Sequence, residues 1–147
     1  MRRELGRALA VVALALSGIA ATASPCWACS CAADTPKGYA KRADVVFTGR
    51  VKSITGGDTD DGTLGDDNFR VRFRVRKVYK GKVERITRVR TNESEAACGY
   101  GFVEGKKYTV FAEKAKGKLS TNLCSGTKPG GIDPDKYCLP DAYPPED

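Results

Sequence analysis

The sequence predicts a small, mainly β domain: a five-stranded barrel with one short helix, held together by disulfide bonds. One observation behind this is the alternation of apolar and charged residues, most regular from Asn68 to Lys80, which is typical of strands with one buried face. Another is the set of six cysteines behind an export leader, because small exported domains are commonly disulfide-bonded. Five strands and one helix in about 100 residues fit a small barrel better than a seven-stranded sandwich.

Residues 1–23 have the pattern of a secretory signal peptide. Three arginines in the first seven residues precede an apolar run from Ala8 to Ala21, and such leaders carry an apolar core of about 7–15 residues before a small-residue cut site. A bilayer span needs about 20 apolar residues, and no second apolar run follows. We therefore expect a secreted, extracellular protein without a membrane span.

Two cut sites fit the leader, and the sequence leaves both open. Cleavage before Ser24 follows the small residues Ala21 and Ala23, whereas cleavage before Cys29 follows Ala28 and moves the end of the leader to residue 28. The second cut would give Cys29 a free α-amine. It would also remove Cys26 and leave an odd number of cysteines, which favours the earlier cut.

The first half of the remaining chain reads as a helix, a strand and a loop. Thr35 to Ala43 fits a short helix, with Thr35 as cap and a proline in its first turn. Asp44 to Ile54 is rich in β-branched residues and predicts a strand, in which Gly49 indicates a bulge or a close backbone approach. Thr55 to Asp67 is an acidic, Gly-rich loop.

The second half contains four more strand-like segments. Asn68 to Lys80 places one set of residues inward, and its alternate residues outward, because neighbouring side chains of a strand point to opposite faces. The inward set is Phe69, Val71, Phe73 and Val75, and the outward set is Arg70, Arg72, Arg74 and Arg76. The other segments are Val83–Asn92, Lys107–Glu113 and Leu119–Cys124, and the Gly- and Pro-rich residues 128–147 predict an irregular tail.

The cysteines are Cys26, Cys29, Cys31, Cys98, Cys124 and Cys138. Six cysteines allow 15 pairings, so the connectivity stays open at this point. A zinc site is disfavoured because the chain has no histidine, and because a long gap follows Cys31.

The composition also limits the function. Loss of the leader removes three Arg and one Glu, which lowers the formal net charge from +7 to +5. Basic residues spread along strands indicate a solvated sheet face, with a cell-surface polyanion as the alternative partner; we expect no nucleic acid. Without histidine or a nucleophile motif we expect no enzyme and no cofactor. Asp58 to Gly62 lacks the glutamate of a calcium loop, so we interpret it as solvated.

Five motifs follow one another along the chain: Cys29-Ser30-Cys31, Ala43–Gly49, Cys98-Gly99-Tyr100 with Glu95 ahead of it, Gly105–Tyr108 and Thr121–Ser125. In this order they resemble the inhibitory domain of the tissue inhibitor of metalloproteinases family and the related netrin-like modules. The resemblance covers residues 29–127. The resemblance implies a barrel of the oligonucleotide/oligosaccharide-binding type and the bridges Cys29–Cys98 and Cys31–Cys124.

The resemblance also implies a mode of action. In the family the N-terminal cysteine binds the catalytic zinc of a metalloprotease through its α-amine and carbonyl, which here would be Cys29. The next residue, Ser30, would enter the pocket beside the zinc, and the second half of the contact would be Glu95, Ala96 and Ala97. The simpler interpretation of Ser30 is a small linker between two cysteines.

One departure from the family pattern is Cys26, which precedes the family's first cysteine. Its natural partner is Cys138, and a Cys26–Cys138 bridge would tie the tail of residues 128–147 to the domain. Cys29 would then be internal, and its amide nitrogen has no lone pair available for zinc. The two hypotheses are therefore a monomeric inhibitor of a zinc metalloprotease and a netrin-like binding or structural module without inhibition, whose partner is another extracellular protein or a polyanion. The mature N-terminus discriminates between them.

Overall fold

A computed structural model describes residues 29–56, 68–93 and 97–147. The predicted signal peptide, Cys26, most of the predicted acidic loop, Glu95 and Ala96 lie outside these ranges. Within them, no helix is long and apolar enough to cross a membrane.

The described residues form a barrel with a helix packed on its outside. The helix α1 spans Pro36–Arg42, and a 3-10 helix spans Pro134–Tyr137. The strands are β1 (Val45–Thr55), β2 (Asn68–Lys80), β3 (Ile86–Asn92), β4 (Lys107–Ala115), β5 (Lys118–Ser120) and β6 (Lys128–Pro129). The first five strands form a barrel in the order β1-β2-β3-β5-β4, which is closed because β1 also pairs with β4. The two-residue β6 pairs antiparallel with the start of β4. The predicted five-stranded barrel with one short helix is confirmed.

The helix and the first strand begin as their sequences predict. The backbone N–H of Gly38 donates to Thr35 Oγ1 at 3.0 Å, which satisfies a helix donor that would otherwise lack a partner. In β1 the pairing register shifts between Thr48 and Gly49. A Cβ at Gly49 would lie 3.0 Å from the carbonyl oxygen of Arg74, so both the predicted irregularity and the close backbone approach are present.

Strand β2 has the predicted orientation. Val71, Phe73 and Val75 are buried and Phe69 packs against them, while the four arginines that alternate with them are exposed. The ring of Phe73 packs edge-to-face on Phe47 of β1, with centroids 5.5 Å apart. This orientation follows from the sequence because a slip of one residue would bury four guanidinium groups.

Two predicted strands are shorter than expected. Strand β3 begins at Ile86 rather than Val83, because residues 83–85 bond mainly to the C-terminal residues. Arg85 N donates to Glu146 O at 2.8 Å and Glu146 N to Val83 O at 2.9 Å, while one bond to β2 remains, from Val75 N to Arg85 O at 2.9 Å. Strand β5 ends at Ser120 rather than Cys124. Its continuation turns away because the Thr121 hydroxyl donates to Phe111 O at 2.8 Å.

The fold has a second apolar cluster that the predicted single apolar face does not include. Val46 of β1 and Phe111 of β4 point out of the barrel and are fully buried beneath α1 and the C-terminal residues. Strands β1 and β4 are therefore covered on both faces, as their continuous apolar runs allow. The cluster consists of Ala40, Ala43, Val46, Tyr79 and Phe111, with Tyr39, Ile132, Tyr137 and Leu139 around it.

Candidate functional site

Two disulfides hold the N-terminal described segment against the barrel. Cys29 is bonded to Cys98 and Cys31 to Cys124, with Cα–Cα distances of 5.3 and 5.1 Å. These are the pairs that the family resemblance implies. They close loops of 69 and 93 residues, and bridges over such long loops strongly restrict the unfolded chain.

The two bridges touch each other. The sulfur of Cys29 lies 3.8 Å from the sulfur of Cys124, and the sulfurs of Cys29, Cys98 and Cys124 all lie within 4.8 Å of one another. Because each of these sulfurs is in a disulfide, none is a thiolate that could bind a metal ion. The sulfur cluster is therefore a covalent anchor for the segment that begins at Cys29.

Ser30 occupies the position between the two anchors. Its side chain is exposed, whereas Cys29 is half-buried. Cys31 and the two alanines after it are also exposed, so Ser30 lies in an accessible stretch that the two bridges tie to the barrel. With both neighbours anchored, the Ser30 hydroxyl is presented to solvent on a short segment that can move little.

Ala97, just before Cys98, is the described residue of the predicted second half of the contact. Ala97 is exposed, and the side-chain amide of Asn92 donates to its carbonyl oxygen. The Cys29–Cys98 bridge brings Ala97 and Ser30 to the same edge of the molecule, because each is adjacent in sequence to a bridged cysteine. Of the five predicted contact residues, Cys29, Ser30 and Ala97 are brought together in this way, and Glu95 and Ala96 lie outside the described residues.

Hydrogen bonds from backbone N–H groups hold the segments that carry the two bridges. The N–H of Leu123 donates to Cys98 O at 2.9 Å, and the N–H of Tyr100 donates to Thr91 Oγ1 at 2.7 Å. Cys124 N donates to Asn122 Oδ1 at 2.8 Å. The anchors of the candidate site are thereby connected to each other and to β3.

Sequence reasoning did not identify the hydroxyl network beneath Cys124. Thr121 Oγ1 lies 2.6 Å from Ser125 Oγ and 2.7 Å from Thr127 Oγ1, and Phe111 N donates to Thr127 Oγ1 at 3.0 Å. Thr121 and Thr127 are buried, so each hydroxyl needs the partners that the network supplies. In the sequence, the network is indicated by three hydroxyl residues close to Cys124, namely Thr121, Ser125 and Thr127.

The helix α1 supports the same segment from outside the barrel. Arg42 is ion-paired with Asp34, and its guanidinium also lies 3.4 Å from Cys124 O. Gly126 adopts a φ of +92°, and a Cβ there would lie 2.6 Å from Cγ of Tyr39. The chain after Cys124 thus packs directly on the helix.

Aromatic rings fill the barrel behind Cys98. Tyr100 packs on Phe102 and Tyr108, with centroids 4.6 and 5.9 Å away. Burial, with a smaller contribution from the neighbouring Tyr108, raises the pKa of Tyr100 above its usual value of 10.0. The phenol therefore stays neutral at physiological pH.

Cys138 is exposed and forms no disulfide with any cysteine in the described ranges. Its predicted partner Cys26 lies outside them. The Cys26–Cys138 bridge therefore stays a prediction, and with it the position of the signal cleavage.

Comparison with known proteins agrees with this architecture. Residues 27–130 match the family described as tissue inhibitor of metalloproteinase. Two similar proteins are Metalloproteinase inhibitor 2 of Canis lupus familiaris, 31% identical over 118 residues, and that of Homo sapiens, 33% identical over 120 residues. Each alignment covers 77% of this chain and 54% of the relative, so the chain spans about half the length of the curated relatives it matches. This metalloproteinase-inhibitor-like chain belongs to the tissue inhibitor of metalloproteinase family.

Proposed function

We propose that the protein inhibits a zinc metalloprotease through the Cys29–Cys31 segment. The Cys29 α-amine and carbonyl oxygen bind the target's zinc, and Ser30 enters the pocket beside it. Ala97, with Glu95 and Ala96, forms the other half of the contact. The observation that carries the proposal is the pair of touching disulfides, with sulfurs 3.8 Å apart, that fix Cys29 and Cys31 and leave Ser30 exposed between them.

The chemistry is compatible with neutral pH. An α-amine has a pKa of about 7.7–8.0, so an appreciable neutral fraction can bind a metal at pH 7. Catalytic zinc keeps an open position that accepts nitrogen and oxygen ligands. Because two covalent bonds already restrict the segment, binding loses less conformational freedom than it would with a flexible N-terminus.

The mechanism requires Cys29 to be the first residue of the mature protein. Cleavage before Cys29 removes Cys26 and leaves the exposed Cys138 without its predicted partner. Cleavage before Ser24 retains Cys26, allows the Cys26–Cys138 bridge and turns the Cys29 nitrogen into an amide. The inhibitory form and the three-disulfide form are therefore mutually exclusive.

The experiment compares two defined N-termini. Protein starting at Cys29 and protein starting at Ser24 are titrated against the catalytic domain of a zinc metalloprotease, and mass spectrometry identifies which N-terminus the secreted protein has. We expect inhibition by the Cys29 form and its loss on acetylation of the α-amine. A Cys29 form with one extra N-terminal alanine is the control that leaves the lysines unmodified. Equal inhibition by the extended form would contradict the role of the amine.

A second candidate function is binding of a sulfated polysaccharide. A groove of about 390 Å³ lies between β3 and the β4–β5 hairpin. Its lining contains one acidic residue, Glu84. Guanidinium and ammonium groups bind sulfate well. The basic residues that line the groove are Arg70, Lys82, Arg88, Arg90, Lys114 and Lys118.

This second function is tested on a heparin column. The double variant Arg88→Glu/Lys118→Glu should elute at clearly lower salt than the unmodified protein. The matched control is Lys37→Glu/Lys41→Glu, which makes the same charge change on exposed positions of α1. Equal loss of retention in both variants would show a response to net charge alone and would exclude a specific groove.

A further inference from the structure

A small cavity opens at the end of the barrel that carries Cys98. Its volume is about 100 Å³. The strand register places the end of β1, the start of β2 and the end of β3 around it. The lining residues are Ile54, Phe69, Val71, Thr91, Glu93, Gly99, Tyr100, Gly101 and Phe102.

Glu93 lines this cavity and carries an unsatisfied carboxylate oxygen. Its Oε1 atom is buried and has no hydrogen-bond partner, and among the described residues it is the one buried side-chain nitrogen or oxygen in that state. A buried acceptor without a donor is costly, and more so when it belongs to a charged group. A donor in the cavity would remove this cost once a rotation of the Glu93 side chain turned the carboxylate toward it.

The rest of the cavity wall is apolar and aromatic. Phe69, Tyr100 and Phe102 contribute rings, and Ile54 and Val71 contribute aliphatic surface. Aromatic rings attract a cation near them as well as an apolar group. The wall therefore complements a ligand with one cationic donor and a short apolar body.

We propose that this cavity binds a small organic amine, whose ammonium group donates to the Glu93 carboxylate and whose alkyl body packs against Phe69 and Phe102. The ligand must be small and must extend partly out of the open end, because the cavity of about 100 Å³ is smaller than the apolar cavity of about 150 Å³ that accepts benzene. A single carboxylate does not make a site for a divalent metal, which takes several oxygen ligands. The proposal is independent of protease inhibition.

The probe is isobutylamine hydrochloride, titrated at neutral pH into isotopically labelled secreted protein while backbone amide signals are followed by NMR. Isobutanol is the uncharged control of the same shape, and sodium chloride at equal concentration controls for ionic strength. We expect saturable shifts for residues around the cavity with the amine. The dissociation constant of the alcohol should be at least about tenfold higher than that of the amine, because loss of a hydrogen bond between two charged groups lowers affinity by about that factor.

Glu93→Gln keeps the shape of the side chain and removes its charge, so it should weaken amine binding about tenfold or more. Glu113→Gln is the matched control at an exposed position of β4 and should leave binding unchanged. Equal binding of amine and alcohol, unaltered binding by Glu93→Gln, or the absence of saturable shifts would each overturn the proposal; the last result would mean that solvent alone occupies the cavity. The comparison of amine with alcohol stands even if the Glu93 variant does not fold.

Discussion

The sulfur atoms of Cys29 and Cys124 lie 3.8 Å apart although 95 residues separate them in the sequence and each is bonded to a different cysteine. The contact makes the two bridges one packed unit at the edge of the barrel. Ser30 is exposed between the two bridged cysteines. The Cys29–Cys31 part of the candidate site therefore depends on covalent anchors more than on secondary structure, since it precedes the first helix.

The Cys31–Cys124 bridge should be a major source of stability. Replacing both cysteines by serine opens a loop of 93 residues, for which chain-entropy arguments predict a loss of about 4–5 kcal/mol in the free energy of unfolding. Chemical denaturation measures it. The control is Cys138→Ser in protein starting at Cys29, which lacks Cys26; there the exposed Cys138 has no predicted partner, and its loss should change stability by about 0.5 kcal/mol or less. Similar losses in both proteins would contradict the prediction.

Ser30 should matter for inhibition and little for stability. We expect Ser30→Arg to weaken inhibition of a zinc metalloprotease strongly, because a guanidinium cannot enter an apolar pocket without losing its hydration. Thermal unfolding should be nearly unchanged, since residue 30 is exposed. Ser30→Ala is the control of small size. If Ser30→Arg inhibits as well as Ser30→Ala, residue 30 does not enter the target's pocket.

Gly126 should tolerate no side chain. Gly126→Ala places a Cβ 2.6 Å from Cγ of Tyr39 at a φ of +92°, so the helix must shift, at a cost of about 1–3 kcal/mol beyond the backbone strain. Gly130→Ala is the matched control, because its φ of +81° imposes similar strain with nothing within 4 Å of the added carbon. Equal losses in thermal or chemical unfolding would mean that strain alone explains the effect.

The arginines facing each other on β2 and β3 should destabilise the sheet. Arg72 lies directly opposite Arg88, and like charges in that position are unfavourable. Arg72→Glu should therefore raise the free energy of unfolding by about 0.2–1 kcal/mol. The gain should shrink at high salt, where exposed charges are screened.

The double variant Arg72→Glu/Arg88→Glu restores a like-charged pair and serves as the control for the cross-strand effect. It should lose most of the gain measured for Arg72→Glu. A gain retained in the double variant would point to net charge rather than to the pair.

Tyr100 should make the fold sensitive to alkaline pH. Burial raises its pKa above 10.0, so above pH 10.0 the unfolded phenol loses its proton before the folded one does. The unfolded state is then the one with fewer bound protons, and stability falls as pH rises until the folded pKa is passed. Unfolding followed from pH 9 upward should show this decrease, and Tyr100→Phe should reduce it. Ultraviolet titration of tyrosinate in both proteins checks which ring is responsible.

The sequence by itself determined the barrel's β2 wall and the start of its helix. Strict alternation leaves one inward face for Phe73 and its neighbours, because the alternative buries four arginines. Thr35 followed by proline is sufficient to locate a helix N-terminus, because capping is a local interaction. The family motifs around the cysteines also implied the two bridges that form. These features depend on residues near each other in the chain or on a known pattern.

The tertiary structure decided what depends on contacts between distant segments. Continuous apolar runs do not state which face a helix will cover, so the burial of Phe111 beneath α1 could not be predicted from periodicity. Strand β3 starts late because the backbone N–H of Arg85 donates to the carbonyl oxygen of Glu146. That residue lies 61 positions away, so no pattern near Arg85 indicates the bond. The contact between Cys29 and Cys124 arises for the same reason: hydrogen bonds and packing over long sequence separations are set by the closed barrel, and not by the neighbouring residues.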